Sequence, residues 1–252
     1  MNPNLHVRSI VRKYHVVHGP NSPAFVAART LFPILRAWAG KFLLSIQFSG
    51  STAKGTSIRG STDIDLFISL KPETHESLAE IYENLFAYLT ARGVPAKRQD
   101  VSIGVDFKGL SVDLVPAKKQ RGNASDHSLY RNKADTWVQT NVERHIRIIK
   151  ASDRLNEIRA VKIWRMLHRL DFPSFYLEMS VLAALYQKPK YTLAPNFLSV
   201  LEYLRDDLED SVINDPANTN NCLSDLLSSA EKRAIGVLAG KHLKKTWSEV
   251  LW

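Results

Sequence analysis

The pair Asp63 and Asp65 constrains this chain more than any other feature. Both lie in what reads as a strand, Asp63 to Leu70, whose other residues are almost all apolar. In a strand, residues i and i+2 share a face, so the two carboxylates project together while Ile64 and Leu66 point the other way into a core. Neighbouring carboxylates repel one another and resist joint ionisation unless a cation lies between them. A strand with that requirement predicts a divalent metal. Mg2+ fits, with Mn2+ as an alternative, because it takes oxygen ligands and commonly combines one or two carboxylates with substrate phosphates.

Ahead of the pair, Gly50-Ser51 and Gly55-Thr56 form a small-residue turn after a first strand read over Lys41 to Ser49. Glycine lets the backbone approach a ligand closely, and the turn's N–H groups with the Ser51 hydroxyl suit phosphate oxygens. This is not a P-loop: no Gly-Lys-Ser/Thr ends it, and a strand is predicted next. A third carboxylate, Asp113 in LSVDLVP, sits mid-strand among apolar residues, where an unpaired charge is costly. An isolated Asp-x-Asp is commonly a solvated strand face. The combination of Gly50, Ser51, Asp63, Asp65 and Asp113 is what points to a metal and nucleotide site.

The rest of the pattern places this site in an α+β fold. Pro23 to Gly40 reads as a helix with Ala28, Leu31 and Leu35 on one face, and Pro33 is expected to kink or divide it. ETHESLAEIYENLFAYLTARG reads as another helix, closed by Gly93. VSIGVDF and LSVDLVP flank Lys108-Gly109 as a hairpin or as adjacent strands. From Ser128 onward every patterned stretch, WVQTNVERHIRIIKAS included, has helical period, and Trp137, Trp164, Trp247 and Trp252 read as helix packing residues. The expected organisation is a mixed α/β domain carrying the sheet over residues 1–130 and an all-helical domain over 131–252. The division falls between Ala124 and Asp135.

Composition narrows the partners. Of 252 residues 44% are hydrophobic, enough for a substantial core, yet the apolar run FLLSIQF is far shorter than the roughly 20 residues a membrane span needs. No membrane partner is expected. The single cysteine, Cys222, forms no internal disulfide, and the N-terminus lacks an apolar leader, so a cytoplasmic location is expected. A formal charge of +9 favours polyanions, either nucleoside triphosphates or RNA.

The ordered set Gly50, Ser51, Asp63, Asp65, Asp113 resembles the nucleotidyltransferase superfamily related to DNA polymerase beta. AVKIWRMLHRLDFPSFYLEMSVLAAL and NDPANTNNCLSDL narrow the likeness: they resemble the helical part of oligoadenylate synthetases, bacterial CD-NTases and archaeal-type CCA-adding enzymes. The resemblance implies Mg2+-dependent, template-independent transfer of a nucleotide from a triphosphate to a hydroxyl, with pyrophosphate leaving. It implies that Asp63, Asp65 and Asp113 hold the metals and that Lys162 and Ser174 contact the triphosphate. Phe175 then stands where relatives often stack a tyrosine on the nucleobase. Two acceptors remain open: another nucleotide, giving a cyclic or linear oligonucleotide signal, or an RNA 3′ end. RNA as an activator and a non-catalytic nucleotide binder are the further alternatives.

Overall fold

The computed structural model describes residues 2–17, 19–60, 63–107, 109–122 and 125–252. Lys108 of the expected hairpin turn and Ala124 of the expected domain division lie outside the described residues. In chain order the elements begin with α1 (Pro3–Lys13), α2 (Pro23–Ala39), β1 (Leu43–Phe48), α3 (Gly50–Lys54), β2 (Ile64–Leu70), α4 (Leu78–Thr90), β3 (Ala96–Arg98), β4 (Ile103–Phe107) and β5 (Leu110–Lys119). They continue with β6 (His127–Arg131), β7 (Thr136–Thr140), α5 (Val142–Ala151), α6 (Leu155–Leu167), α7 (Ser174–Ala184), α8 (Leu193–Asp206), β8 (Asn214–Asp215), β9 (Asn218–Cys222), α9 (Ser229–His242) and α10 (Trp247–Val250). None of the helices among the described residues is long and apolar enough to cross a membrane.

Contacts divide the chain into two compact units. A sheet unit comprises Val17–Lys54 and Thr62–Ile146; a helical unit comprises Met1–Val16, Gly55–Ser61 and Arg147–Trp252. The chain thus passes between the units at four places, where a single division near residue 130 was expected. The β6–β7 hairpin extends the sheet past residue 130, and α1 and residues 55–61 join the helices.

In the sheet unit the described strands form a seven-stranded mixed sheet in the order β1-β2-β5-β4-β3, with β6 pairing β5 and β7 pairing β6. β2 and β5 run parallel, with Asp65 opposite Asp113; β1 and β4 flank them antiparallel. Alternation then sorts the side chains. Ile64, Leu66, Ile68 and Leu70 of β2 and Val112 and Leu114 of β5 pack with Ala28, Leu31 and Leu35 of α2 and Leu85 and Leu89 of α4. Asp65 and Asp113 therefore face the other side, the side of Phe67 and Ala117.

Several sequence expectations are corrected here. α2 is not divided at Pro33, because Pro33 lies on its exposed face, where water can satisfy the carbonyl freed by the missing amide. The second helix starts at Leu78, where Ser77 and Glu80 form a capping box, and it ends at Thr90, with Gly93 just beyond at φ +70°. WVQTNVERHIRIIKAS is not one helix. Trp137, Val138 and Thr140 form β7, and Asn141 Oδ1 then accepts the Arg144 N–H (2.9 Å) to start α5. Trp137 is exposed on that strand, whereas Trp164 is fully buried as expected. NDPANTNNCLSDL folds as the β8–β9 hairpin and a short 3-10 turn, with buried Asp215 accepting the Ala217 N–H (2.8 Å).

In the helical unit one apolar cluster joins Val7, Ile10 and Val11 of α1 to Ile158, Val161 and Trp164 of α6, Tyr176 and Leu177 of α7, and Phe197 and Leu201 of α8. Residues 55–60 are sewn to this unit. Ile58 bridges His15, and the Arg59 N–H donates to the Tyr14 carbonyl (2.8 Å).

Candidate active site

β2 and β5 deliver the carboxylates. Their parallel register sets Asp65 directly opposite Asp113 on the side of the sheet away from α2 and α4. Asp63 is exposed and lies one residue before β2 rather than inside it. Its negative charge still acts on Asp113, whose carboxyl is pushed above the usual carboxylate range first by burial and then by Asp63. Two groups oppose that rise. Gln99 Nε2 donates to Asp113 Oδ1 (3.0 Å), and Ser102 Oγ donates to Gln99 Oε1 (2.5 Å), which orients the amide.

Gly50 is explained by this pair. It adopts φ +52°, and a Cβ added there would fall 1.7 Å from Asp65 Oδ2, so only glycine lets the chain pass this close to the carboxylate. The expected Gly50-Ser51 turn proves to be one turn of helix, α3, opened by the Ala53 N–H donating to the Ser49 carbonyl (3.1 Å). Among the described residues no three His, Cys, Asp or Glu side chains gather as a metal shell, so the structure pairs Asp65 with Asp113 and leaves Asp63 at the strand's entrance. The donor chemistry fits a hard cation. Every group is a carboxylate, two are register partners, and Asp113 carries an electrostatic penalty that positive charge would relieve.

Lys162, Ser174 and Phe175 belong to the helical unit. Lys162, expected to contact a triphosphate, is only 2% exposed: its ammonium pairs with Glu178 Oε1 (2.6 Å) and donates to Thr56 Oγ1 (3.0 Å). The Thr56 hydroxyl donates to the same Glu178 oxygen (2.6 Å), closing a buried triangle. Burial fixes this role: a lysine this deep must have a partner, and α7 supplies one. Ser174 opens α7, is exposed, and accepts from Arg165 Nη1 (2.9 Å), which leaves its own O–H available as a donor. Phe175 is half-buried and packs against the helical core.

Sequence reading missed Thr56, Glu178, Arg165, Gln99 and Ser102. Glu178 had a signal, since it is the one carboxylate in the apolar run SFYLEMSVLAAL, where an acid must be buried with a partner. Gln99 and Ser102 had none, being polar residues in a loop.

This arrangement, a mixed sheet with aspartates paired on its central parallel strands together with a helical unit, is similar in fold to solved CD-NTase structures, and the chain also resembles one cyclic oligonucleotide synthase in sequence. The structure of Escherichia coli MS115-1 CdnC with ATP matches at a TM-score of 0.75, 21% identical, covering 94% of this chain and 89% of that one. The Bradyrhizobium diazoefficiens CD-NTase CdnG in complex with GTP matches at a TM-score of 0.78, 13% identical, over 96% of this chain and 89% of that one. In sequence, the cyclic AMP-AMP-AMP synthase of Escherichia coli (strain MS 115-1) is 27% identical over 206 residues, 71% of this chain. That match spans 63% of the relative's length. No family model matches the chain.

Proposed function

We propose that this chain is a template-independent nucleotidyltransferase that joins nucleoside triphosphates into a cyclic or linear oligonucleotide signal. The observation that carries the reading is the opposed pair Asp65 and Asp113, with Gly50 held against the Asp65 carboxylate, in a fold shared with CD-NTases. Asp63, Asp65 and Asp113 are the residues to hold divalent cations, Mg2+ or Mn2+. Cations held by these carboxylates would offset the triphosphate charge and would lower the pKa of the acceptor hydroxyl. The Ser51 and Ser174 hydroxyls donate to phosphate oxygens and hold the α-phosphate in line for attack. The acceptor hydroxyl gives up its proton to solvent as its oxygen bonds to the α-phosphorus, the bond from that phosphorus to the α–β bridging oxygen breaks, and pyrophosphate leaves. Lys162 serves as a positioning residue, fixing Thr56 through Glu178, and Phe175 offers a ring face to the base without a hydroxyl to read it.

The test is mass spectrometry of products from all four triphosphates with Mg2+ or Mn2+, with and without RNA. Oligonucleotides formed without RNA support the proposal. Strict dependence on RNA would replace it with 3′-end addition, in keeping with the charge of +9, and binding without pyrophosphate release would make the chain a non-catalytic nucleotide binder.

A further inference from the structure

A cavity of about 560 Å³ opens within the helical unit, lined by none of the residues assigned to catalysis. Its size is that of a small-molecule site, on the order of 300–1,000 Å³. Arg8 and Arg12, one helical turn apart on α1, line it together with Lys150 and Arg159.

Its two carboxylates are already neutralised from outside the cavity. Asp153 Oδ2 accepts from Lys190 Nζ (2.6 Å), and buried Glu157 pairs with Arg154 (3.2 Å). The cations are not. Among the described residues, no ion pair takes up Arg8, Arg12 or Lys150. Arg159 is held by neutral acceptors: Nε and Nη2 donate to the Gly55 carbonyl (3.0 and 2.6 Å) and Nη1 to Asn156 Oδ1 (3.0 Å). Four like charges therefore line one concavity whose two carboxylates are each paired with a cation outside the lining, which suits a polyanion.

An aromatic ring is presented at the same cavity. Tyr191 lines it, is 79% exposed, and adopts φ +71°, a left-handed backbone that a bulky residue rarely occupies. The preceding loop is clamped. Arg154 Nη2 donates to the Leu185 and Lys188 carbonyls (3.2 and 2.5 Å), and Nη1 donates to the Pro189 carbonyl (2.9 Å). Asn196 Nδ2 adds a further bond to that last carbonyl (3.0 Å). The buried Arg154 network thus holds a large ring out in solvent beside the cations instead of packing it, and such a ring is a stacking face for a base.

We propose that this cavity is a second nucleotide site, taking a mononucleotide with two or more phosphates. The phosphates meet Arg8, Arg12 and Lys150, and the base lies on Tyr191. No divalent cation is needed, because the neutralising charge comes from the chain. The assignment does not depend on the chain being a transferase, so its test removes that chemistry.

The test is calorimetry in EDTA on the Asp63→Asn/Asp65→Asn protein, with ATP and inorganic tripolyphosphate as probes. One equivalent of each is expected to bind. Arg8→Gln/Arg12→Gln/Lys150→Gln is expected to weaken both by at least about tenfold, because three charge-assisted contacts are lost. Tyr191→Ala is expected to weaken ATP several-fold and leave tripolyphosphate unchanged, with circular dichroism confirming that each variant folds. Absence of ATP binding in EDTA, or binding indifferent to the triple substitution, overturns the proposal. So does a short duplex DNA that binds through these arginines under conditions where ATP does not, since the surface would then read a nucleic-acid backbone.

Discussion

The two units arrange ionisable side chains in opposite ways. The helical unit buries opposite charges together: Lys162 and Glu178 are 2% and 0% exposed and meet at 2.6 Å. The sheet unit instead sets like charges against each other, with Asp65 opposite Asp113 and Asp63 adding repulsion. The first arrangement is complete within the chain and serves stability. In the second, a cation would relieve the burial and repulsion that raise Asp113, which is the mark of a site kept for function at the expense of stability.

The largest effect that tests this contrast comes from Asp63→Asn/Asp65→Asn. Transfer is expected to fall by at least about 10³-fold, since two of the residues proposed to hold cations are lost, while the melting temperature holds or rises because the repulsion on Asp113 is removed. Pyrophosphate release and calorimetric melting read the two quantities. Retained turnover, or a large drop in melting temperature, would reverse the assignment of the acidic pair to function.

Next in size is Glu178→Ala, which strands the Lys162 ammonium in the core and is expected to cost about 3–5 kcal/mol in urea unfolding. Lys162→Met/Glu178→Leu is expected to recover most of that loss, because two apolar groups of similar volume need no partner. If the double variant is as unstable as the single one, the triangle with Thr56 does more than neutralise charge. Gly50→Ala follows. Its new Cβ collides with Asp65 Oδ2 at φ +52°, so about 1–3 kcal/mol of stability is expected to be lost, with transfer falling alongside. Unfolding midpoints and initial rates on the same preparation show whether the two losses travel together.

This division of charge was partly legible in the sequence. Asp63, Asp65 and Asp113 stood out because local rules suffice: strand alternation puts a carboxylate on a face, and an apolar context makes it expensive. Gly50 was legible as a glycine in a turn but not as a glycine required by Asp65, since that clash arises only when α3 packs against β2. Lys162 was read as a phosphate contact because spacing on α6 cannot show that Glu178 on α7 and Thr56, 106 residues away, close over it. β7 was read as helix because Trp137 and Val138 also fit the helical period of α5 behind them. Pairing with β6, from Tyr130 opposite Trp137 to His127 opposite Thr140, decides otherwise.

The smallest expected effect concerns one histidine in each unit, buried His127 and half-buried His242, each with its pKa pushed down. In the sheet unit His127 Nδ1 lies 3.0 Å from the Ser125 carbonyl, which can only accept. Nδ1 therefore carries the proton, and Nε2 accepts from the Ser69 hydroxyl (2.7 Å). Burial pushes the His127 pKa down, with Lys119 adding to the effect. In the helical unit the Trp164 indole donates to His242 Nδ1 (2.8 Å), and burial followed by the charges of His168 and Lys245 pushes His242 down as well. A histidine whose folded pKa is depressed contributes stability that is complete above its unfolded pKa of about 6.5. That stability is lost as pH falls from there through the folded pKa, because the unfolded chain takes up the proton first. Urea midpoints are therefore expected to fall between pH 7.5 and pH 5. His127→Gln is expected to flatten that slope without abolishing it, His242 supplying the remainder. A slope unchanged by His127→Gln would assign the acid sensitivity to the helical unit alone and so break the symmetry between the two.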